Sequence, residues 1–273
     1  MYQAHWNLET TPFHAGCETE FYYPSETHQA ALLKLRYAIE NRQGAAMMVA
    51  ESGLGKTVLA RTLLEQLGDT ISPKLHLVFS RFPASALLAW VHRQFYEGDL
   101  TESCLHEQFL EIEQFLSGGA QSGKHAVWII DEAHLVTTPA SLETLRLLTN
   151  FQSQGRPDWT LIFVGQMPLV TSIQQHASLD ERMAVKCVLQ RLNADETAGY
   201  ITHRIRIAGG ESQIFTDNAL QTVHELSQGI PRRINRICDL ALLVGFAEER
   251  TMIGDDQIRE VQYEFTQEYA EIA

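Results

Sequence analysis

The chain has 273 residues, 45% of them hydrophobic and 20% charged, and carries a net charge of −13. That length buries a core without covalent staples, and so acidic a chain repels nucleic acid and anionic membranes at long range, which disfavours indiscriminate binding to either. Four scattered cysteines (Cys17, Cys104, Cys187 and Cys238) form no CxxC pair, which offers no zinc site or disulfide framework and fits a reducing compartment.

The N-terminus, MYQAHWNLETTPF, lacks the basic stretch and apolar run of a signal peptide. Residues Ser25 to Ile39 read as an amphipathic helix, with Ala31, Leu32, Leu35 and Ile39 among its apolar positions and Ser25 as N-cap. A short apolar run, Ala45–Val49, leads into a Gly-rich turn and a second helix, Lys56–Leu67. Further strand-length apolar runs follow at Leu75–Phe79, Val127–Ile130, Leu161–Val164 and Val185–Leu189, separated by helical stretches. Strands alternating with helices at this spacing predict a parallel sheet covered on both faces. After Asn193 the strand signals stop. Helices are expected at Asp195–Ile207, Asp217–Leu226, Pro231–Glu248 and Asp255–Tyr269, broken at Gly209-Gly210 and Gly229-Ile230-Pro231. The predicted organisation is an N-terminal segment and leading helix (residues 1–43), an α/β nucleotide-binding core (44–192) and a small all-helical lid (193–273). The longest apolar runs, Ala126–Ile130 and Leu240–Ala247, are far below the ~20 residues of a membrane span, so a soluble cytoplasmic protein is expected.

Two strings carry chemistry. Ala50-Glu51-Ser52-Gly53-Leu54-Gly55-Lys56-Thr57 matches the phosphate-binding pattern GxxxxGK[ST] at every fixed position except the first, where Ala50 replaces glycine. Ser52, Gly53, Leu54 and Gly55 would turn their backbone N–H groups inward as an anion nest at a helix N-terminus. Lys56 would reach the β- and γ-phosphates, and the Thr57 hydroxyl would hold Mg²⁺. The alternative is a chance turn in a flexible loop. The second string, Val127-Trp128-Ile129-Ile130-Asp131-Glu132-Ala133-His134, is a buried strand ending in two acids, where ligands of open α/β sheets bind. Asp131 is assigned to the magnesium and Glu132 to polarising the attacking water. The alternative is an acidic helix cap. His134 completes a DEAH string and takes no role, because the chain is too short for two helicase-sized core domains.

Further strings resemble those of the ExeA-type (general secretion pathway protein A) AAA+ ATPases, with the TnsC and MuB transposition ATPases as more distant relatives. Tyr2, Trp6-Asn7-Leu8 and Pro12-Phe13 resemble that family's opening segment; Gly165-Gln166-Met167-Pro168-Leu169 its GQPEL; Tyr200 to Gly209 its YIxHRLxxAG; and Ser227 to Asn235 its SxGIPRRIN. The resemblance spans nearly the whole chain. It implies an AAA+ P-loop core with a helical lid, ATP and Mg²⁺ as ligands, and roles that spacing alone does not assign. Gln166 is similar to a sensor-1 residue, with a strand-end cap as the alternative. Arg232 is similar to a sensor-2 arginine that contacts the γ-phosphate, with Arg233 its rival. Arg182 matches an arginine finger acting in a neighbouring subunit, with a surface salt bridge as the alternative. Pro12 and Phe13 fall where an adenine pocket is lined, or are simply core. The resemblance further implies a homo-oligomeric ring or filament with ATP, and a protein client. A transposition-like reading would line a DNA pore with Arg204, Arg206, Arg232, Arg233 and Arg236, against the grain of the net acidity. Met167-Pro168 departs from the family's Pro-Glu, and the membrane span and peptidoglycan-binding domain of secretion members are not found in these residues.

Overall fold

A computed structural model describes residues 1–78, 81–96, 104–136, 138–211, 213–261 and 263. The chain divides into two compact units. One, the sheet unit, comprises Glu26–Ser52 and Leu59–Leu189; the other, the helical unit, comprises Met1–Ser25, Gly53–Val58 and Gln190–Ala273.

In the sheet unit, helix α1 (Glu26–Glu40) precedes strand β1 (Ala45–Val49); the chain then passes through the phosphate-loop string into helix α2 (Lys56–Gln66), which belongs to the sheet unit from Leu59 onward. Strand β2 (Ile71–Leu77) is followed by α3 (Ala84–Phe95) and α4 (Leu105–Gln121), then β3 (His125–Ile130) and α5 (Pro139–Leu148). A two-residue hairpin, β4 (Gln152–Ser153) and β5 (Arg156–Pro157), leads to β6 (Trp159–Gly165), α6 (Pro168–Gln174), α7 (Ala177–Asp180) and β7 (Met183–Val188). Strand β2 begins four residues before the predicted start, and the predicted last residue, Phe79, lies outside the described residues.

The five long strands are ordered β2-β3-β6-β1-β7 and every pairing is parallel. The uninterrupted apolar runs are explained by burial on both faces. On one face Met47, Val49, Trp128, Ile130, Leu161 and Phe163 join Leu87, Val91, Ile112, Leu142 and Leu145 from α3, α4 and α5 in a single core. The alternate residues Ala46, Met48, Val127, Ile129, Ile162 and Val164 are equally buried, and α1 packs against β1, β6 and β7. Trp128 stacks between Trp90 and Trp159, with ring centroids 5.9 and 5.7 Å apart, and the Trp159 indole N–H donates to the Leu148 carbonyl at 2.8 Å. This is the α/β P-loop architecture with helices on both sheet faces that the sequence predicts.

The helical unit contains α8 (Ala194–Ile207), α9 (Asp217–Ser227) and α10 (Pro231–Ala247), followed by a helical stretch over residues 255–261. The remainder of the predicted terminal helix lies outside the described residues, apart from residue 263. Helix α8 starts at a capping box: the Asn193 side chain accepts from the Glu196 N–H, and the Glu196 carboxylate accepts from the Asn193 N–H. Thr216 caps α9 in the ordinary way, and Pro231 occupies the first turn of α10, where its missing N–H costs nothing. Tyr2, Trp6, Leu8 and Phe13 of the N-terminal segment share one core with Tyr200, Ile201, Ile205, Val223, Ile234 and Leu242. The Trp6 indole donates to the Leu242 carbonyl at 3.0 Å.

Candidate active site

Parallel strands bring their C-terminal ends to one edge of the sheet, which is where each candidate string sits. Val49, at the end of β1, pairs with Gly165 at the end of β6; one strand further on, Ile130 of β3 pairs with Phe163. The sheet therefore gathers the start of the phosphate-loop string, the Asp131-Glu132 pair and Gln166, which lie up to 116 residues apart in sequence, on three neighbouring strand ends.

Asp131 is fully buried. Its N–H donates to the Leu77 carbonyl at 2.8 Å, and its Oδ1 accepts from the Glu132 N–H at 2.8 Å. Its Oδ2 lies 3.5 Å from His76 Nε2. The next residue, Glu132, has left-handed backbone angles (φ 51°, ψ 32°), a conformation that costs a non-glycine residue on the order of 1 kcal/mol and recurs at active sites. The turn thus directs the two carboxylates differently: Asp131 is withdrawn into the sheet, while the Glu132 side chain keeps 37% of its surface open. His134, on the short 3₁₀ turn Ala133–Leu135, sits between Glu132 and Gln166. Its Nδ1 is 3.5 Å from Glu132 Oε2 and 3.4 Å from the Gln166 backbone N, and its Nε2 is 3.2 Å from Gln166 Nε2. The sequence puts His134 beside the acid pair, but only the fold brings Gln166 to its other side.

Ala50, the departure from the phosphate-loop pattern, has its methyl group buried, and its N–H donates to the Gly165 carbonyl at 3.1 Å. Ala50 is not among the residues with positive φ, so a glycine is not needed there on conformational grounds. The freedom of glycine is needed three and five residues further on. Gly53 and Gly55 both take φ 84°, and a Cβ on Gly53 would lie 2.9 Å from Arg232 Cβ and 3.2 Å from Ile230 Cγ2. The Arg232 N–H donates to the Gly53 carbonyl at 3.3 Å. Leu54 and Lys56 are buried, Ser52 is exposed, and Thr57 is half-buried at the start of α2. Within the helical unit, then, the stem of Arg232 rests on the phosphate-loop backbone. Arg233 is also exposed, but it is Arg232 that supplies two of the three atoms nearest to a Cβ on Gly53. Gly229 (φ 69°) is what lets the chain enter α10 here, since a Cβ would fall 1.9 Å from the Leu192 carbonyl oxygen.

Two strings quoted from the second half of the chain meet each other. The Tyr200 hydroxyl donates to Asn235 Oδ1 at 2.8 Å, joining α8 to α10. Arg204, one turn on from Tyr200, is buried. Its guanidinium donates to Tyr200 Oη at 3.0 Å and to the Pro12 carbonyl at 2.5 Å, and it stacks over the Phe21 ring at 4.6 Å. Arg204 therefore ties the N-terminal segment to α8 and is not available to line a pore; that expectation is corrected, because its charge is enclosed by carbonyls and rings. The i,i+4 spacing of Tyr200 and Arg204 was the one sequence signal for this pairing. Phe13 is 3% exposed and packs edge-on to Phe215, so its ring belongs to the core.

Arg182 immediately precedes β7, whose first residue, Met183, pairs with Ala45 at the start of β1. It therefore lies at the end of the sheet opposite Glu132 and Gln166, roughly 16 Å of strand away, and its guanidinium donates to the Thr149 carbonyl at 3.5 Å.

The Asp131 carboxylate, buried in the sheet unit, and the Thr57 hydroxyl, in the helical unit, are each hard oxygen donors of the kind Mg²⁺ takes when phosphate and water complete its shell. Among the described residues no group of three or more His, Cys, Asp or Glu side chains is gathered to hold a metal. Each of these donors suits a magnesium that arrives with a nucleotide.

Comparison with known proteins bears on the fold and the family. A model of the AAA domain family matches residues 39–171. The fold is similar to that of the Aeropyrum pernix ORC2 protein (TM-score 0.71, 16% identity, 93% of this chain and 71% of that one) and of Cdc6p from Pyrobaculum aerophilum (0.72, 17%, 93% and 70%). It is also similar to the RuvB Holliday junction branch migration motor of Thermotoga maritima (0.57, 18%, 88% and 68%). The fold is that of the AAA+ class of P-loop proteins. The chain is 33% identical over 267 residues, 97% of its length, to general secretion pathway protein A of Aeromonas hydrophila. It is thus similar over nearly its whole length to an ExeA-type AAA+ protein, and it spans about half (48%) of that relative's length. Among the described residues no helix is long and apolar enough to cross a membrane.

Proposed function

We propose that this chain binds Mg-ATP, hydrolyses it, and uses the cycle to switch its helical unit in the assembly or remodelling of a partner protein complex. The observation that carries this reading is the contact of Gly53 with Ile230 and Arg232. Phosphates seated on the turn Ser52–Thr57 lie within reach of an arginine on the first turn of α10, so their loss alters a contact of the helical unit directly. Lys56 and the N–H groups of Ser52, Gly53, Leu54 and Gly55 hold the phosphate charge at a helix N-terminus. Thr57 and Asp131 hold the magnesium, which supplies charge neutralisation at the phosphates. Glu132, on its exposed left-handed turn, takes the proton of the attacking water, and Gln166 orients that water. Arg232 reads the γ-phosphate from within the chain. Arg182, at the far end of the sheet, serves only a neighbouring subunit's site, which calls for a homo-oligomer with ATP as a ring or filament. The name of the Aeromonas hydrophila relative supports a client of the secretion or cell-envelope kind.

A DNA-tracking role of the transposition type retains Arg206, Arg232, Arg233 and Arg236 as exposed cations, but it loses Arg204 to the core and faces a net charge of −13. No specific contact favours it.

Paired variants test the leading reading. Lys56→Ala is expected to weaken nucleotide affinity by at least tenfold, because it removes the cation at the phosphates. Glu132→Gln is expected to retain affinity and lose turnover by about 10²- to 10⁴-fold, the range for removing a general base. Wild-type turnover in Glu132→Gln removes Glu132 as the base.

A further inference from the structure

We infer that His134 is a positioning residue that couples the Glu132 carboxylate to Gln166, so that the base and the residue orienting its water are set as one unit. This rests on the hydrolytic reading given above. The geometry is particular. One ring nitrogen, Nδ1, stands 3.5 Å from Glu132 Oε2, and the other, Nε2, stands 3.2 Å from the Gln166 side-chain amide nitrogen. With the proton on Nδ1, the ring faces the carboxylate as a donor and accepts from the Gln166 side-chain amide at Nε2, while the Gln166 backbone N–H loses Nδ1 as its acceptor. With the proton on Nε2, Nδ1 becomes an acceptor for the Gln166 backbone N–H at 3.4 Å, the Gln166 side-chain amide turns its oxygen to the Nε2–H, and the carboxylate is released. The ring thus has two tautomers, one that holds Glu132 back and one that frees it, and Gln166 is a partner in each.

Two further observations hold the ring in place. His134 is largely enclosed, with 14% of its side chain exposed against 37% for Glu132, so the imidazole is sheltered while the carboxylate is open to water. Gly165, the last residue of β6, is the gap the histidine fits: a Cβ there would stand 3.1 Å from the His134 backbone N and 3.4 Å from its Nδ1. Leu169, which closes the other side, would be 3.0 Å from the same Cβ. A side chain at 165 would therefore crowd the ring and its turn away from the end of β6. The sequence carries the two halves of this contact as DEAH and GQMPL, 34 residues apart at Asp131 and Gly165, and only the pairing of β3 with β6 brings them together.

The test is steady-state ATP hydrolysis with Mg²⁺, together with equilibrium binding of a fluorescent ADP, on the full chain. His134→Ala is expected to lower kcat about 10- to 100-fold, the loss typical of misplaced catalytic groups, with nucleotide affinity within about twofold. His134→Asn keeps a donor near the Nδ1 position and is expected to lose less; it also serves if the alanine variant does not fold. A double-mutant cycle reads the coupling: His134→Ala combined with Gln166→Ala should be no slower than the slower single variant. Wild-type kcat in His134→Ala, or effects that simply multiply in the double variant, overturns the inference. Glu132→Gln run in parallel separates the two proposals. If it hydrolyses normally, the reading of the site fails. If it is inactive while His134→Ala is fully active, only the coupling fails.

Discussion

Buried polar residues in this protein show how single side chains settle their protonation through their partners. His125, at the start of β3, is 2% exposed, and its Nε2 lies 2.8 Å from Thr160 Oγ1. The Thr160 hydroxyl already donates to the Gln43 carbonyl at 2.6 Å, so its oxygen is left to accept and His125 Nε2 must carry the proton. Burial, with the Arg42 charge adding to it, lowers the His125 pKa to about 4. The unfolded chain binds this proton from about pH 6.5 downward and the folded chain does not, so the residue's contribution is present above pH 6.5 and is lost as pH falls towards 4. Chemical denaturation across that window should show an acid-dependent loss, with about 3 kcal/mol assigned to this group. His125→Gln, which retains a donor for Thr160 but does not titrate, should flatten that part of the profile. An unchanged slope would show that the histidine is not the titrating group.

At the scale of elements, the N-terminal segment is fastened to α8 by one cation. Arg204 links the Pro12 carbonyl, the Tyr200 hydroxyl and the Phe21 ring, and Tyr200 in turn holds Asn235 of α10. Because the guanidinium is buried, its bonds are not screened by water, and a truncation leaves carbonyls facing a void. Arg204→Ala is expected to cost about 3 kcal/mol, within the range for breaking a buried network, and to expose residues 1–25 to proteolysis before the rest of the chain. Arg204→Lys should recover only part of this, since an ammonium lacks the planar fork that serves two acceptors and a ring. Equal protease resistance in wild type and Arg204→Ala would mean that the apolar contacts of Tyr2, Trp6 and Phe13 hold the segment by themselves.

For the molecule as a whole, the position of Arg182 bears on assembly. It stands at the opposite end of the sheet from Glu132, so a catalytic role requires a second subunit. Arg182→Ala should leave nucleotide affinity intact and lower turnover by about 10³-fold, the lower range for arginine fingers. The sharper experiment mixes two inactive chains. Arg182→Ala supplies an intact phosphate loop and Lys56→Ala supplies an intact Arg182, so together they should regain activity that rises with protein concentration. Absence of complementation would assign Arg182 to its contact with the Thr149 carbonyl and to a structural role.

The sequence by itself determined the local features: strand β1, the helix starts at Lys56 and Pro231, the turn with its two positive-φ glycines, and the paired acids at the end of an apolar strand. These follow from short-range sterics, capping and burial period, which a few neighbouring residues specify. It also determined the membership of the α/β P-loop class, because alternating elements leave few ways to build a covered parallel sheet. The tertiary structure alone decided which distant residues meet. The order β2-β3-β6-β1-β7 brings His134 between Glu132 and Gln166, and packing within the helical unit sets Arg232, not Arg233, against Gly53 and withdraws Arg204 from the surface. Such contacts depend on how whole elements fit together, and no local pattern of residue types encodes that. The role first denied to His134, in a string legible at once as DEAH, is the clearest case: its residue type was plain in the sequence, and its neighbours were not.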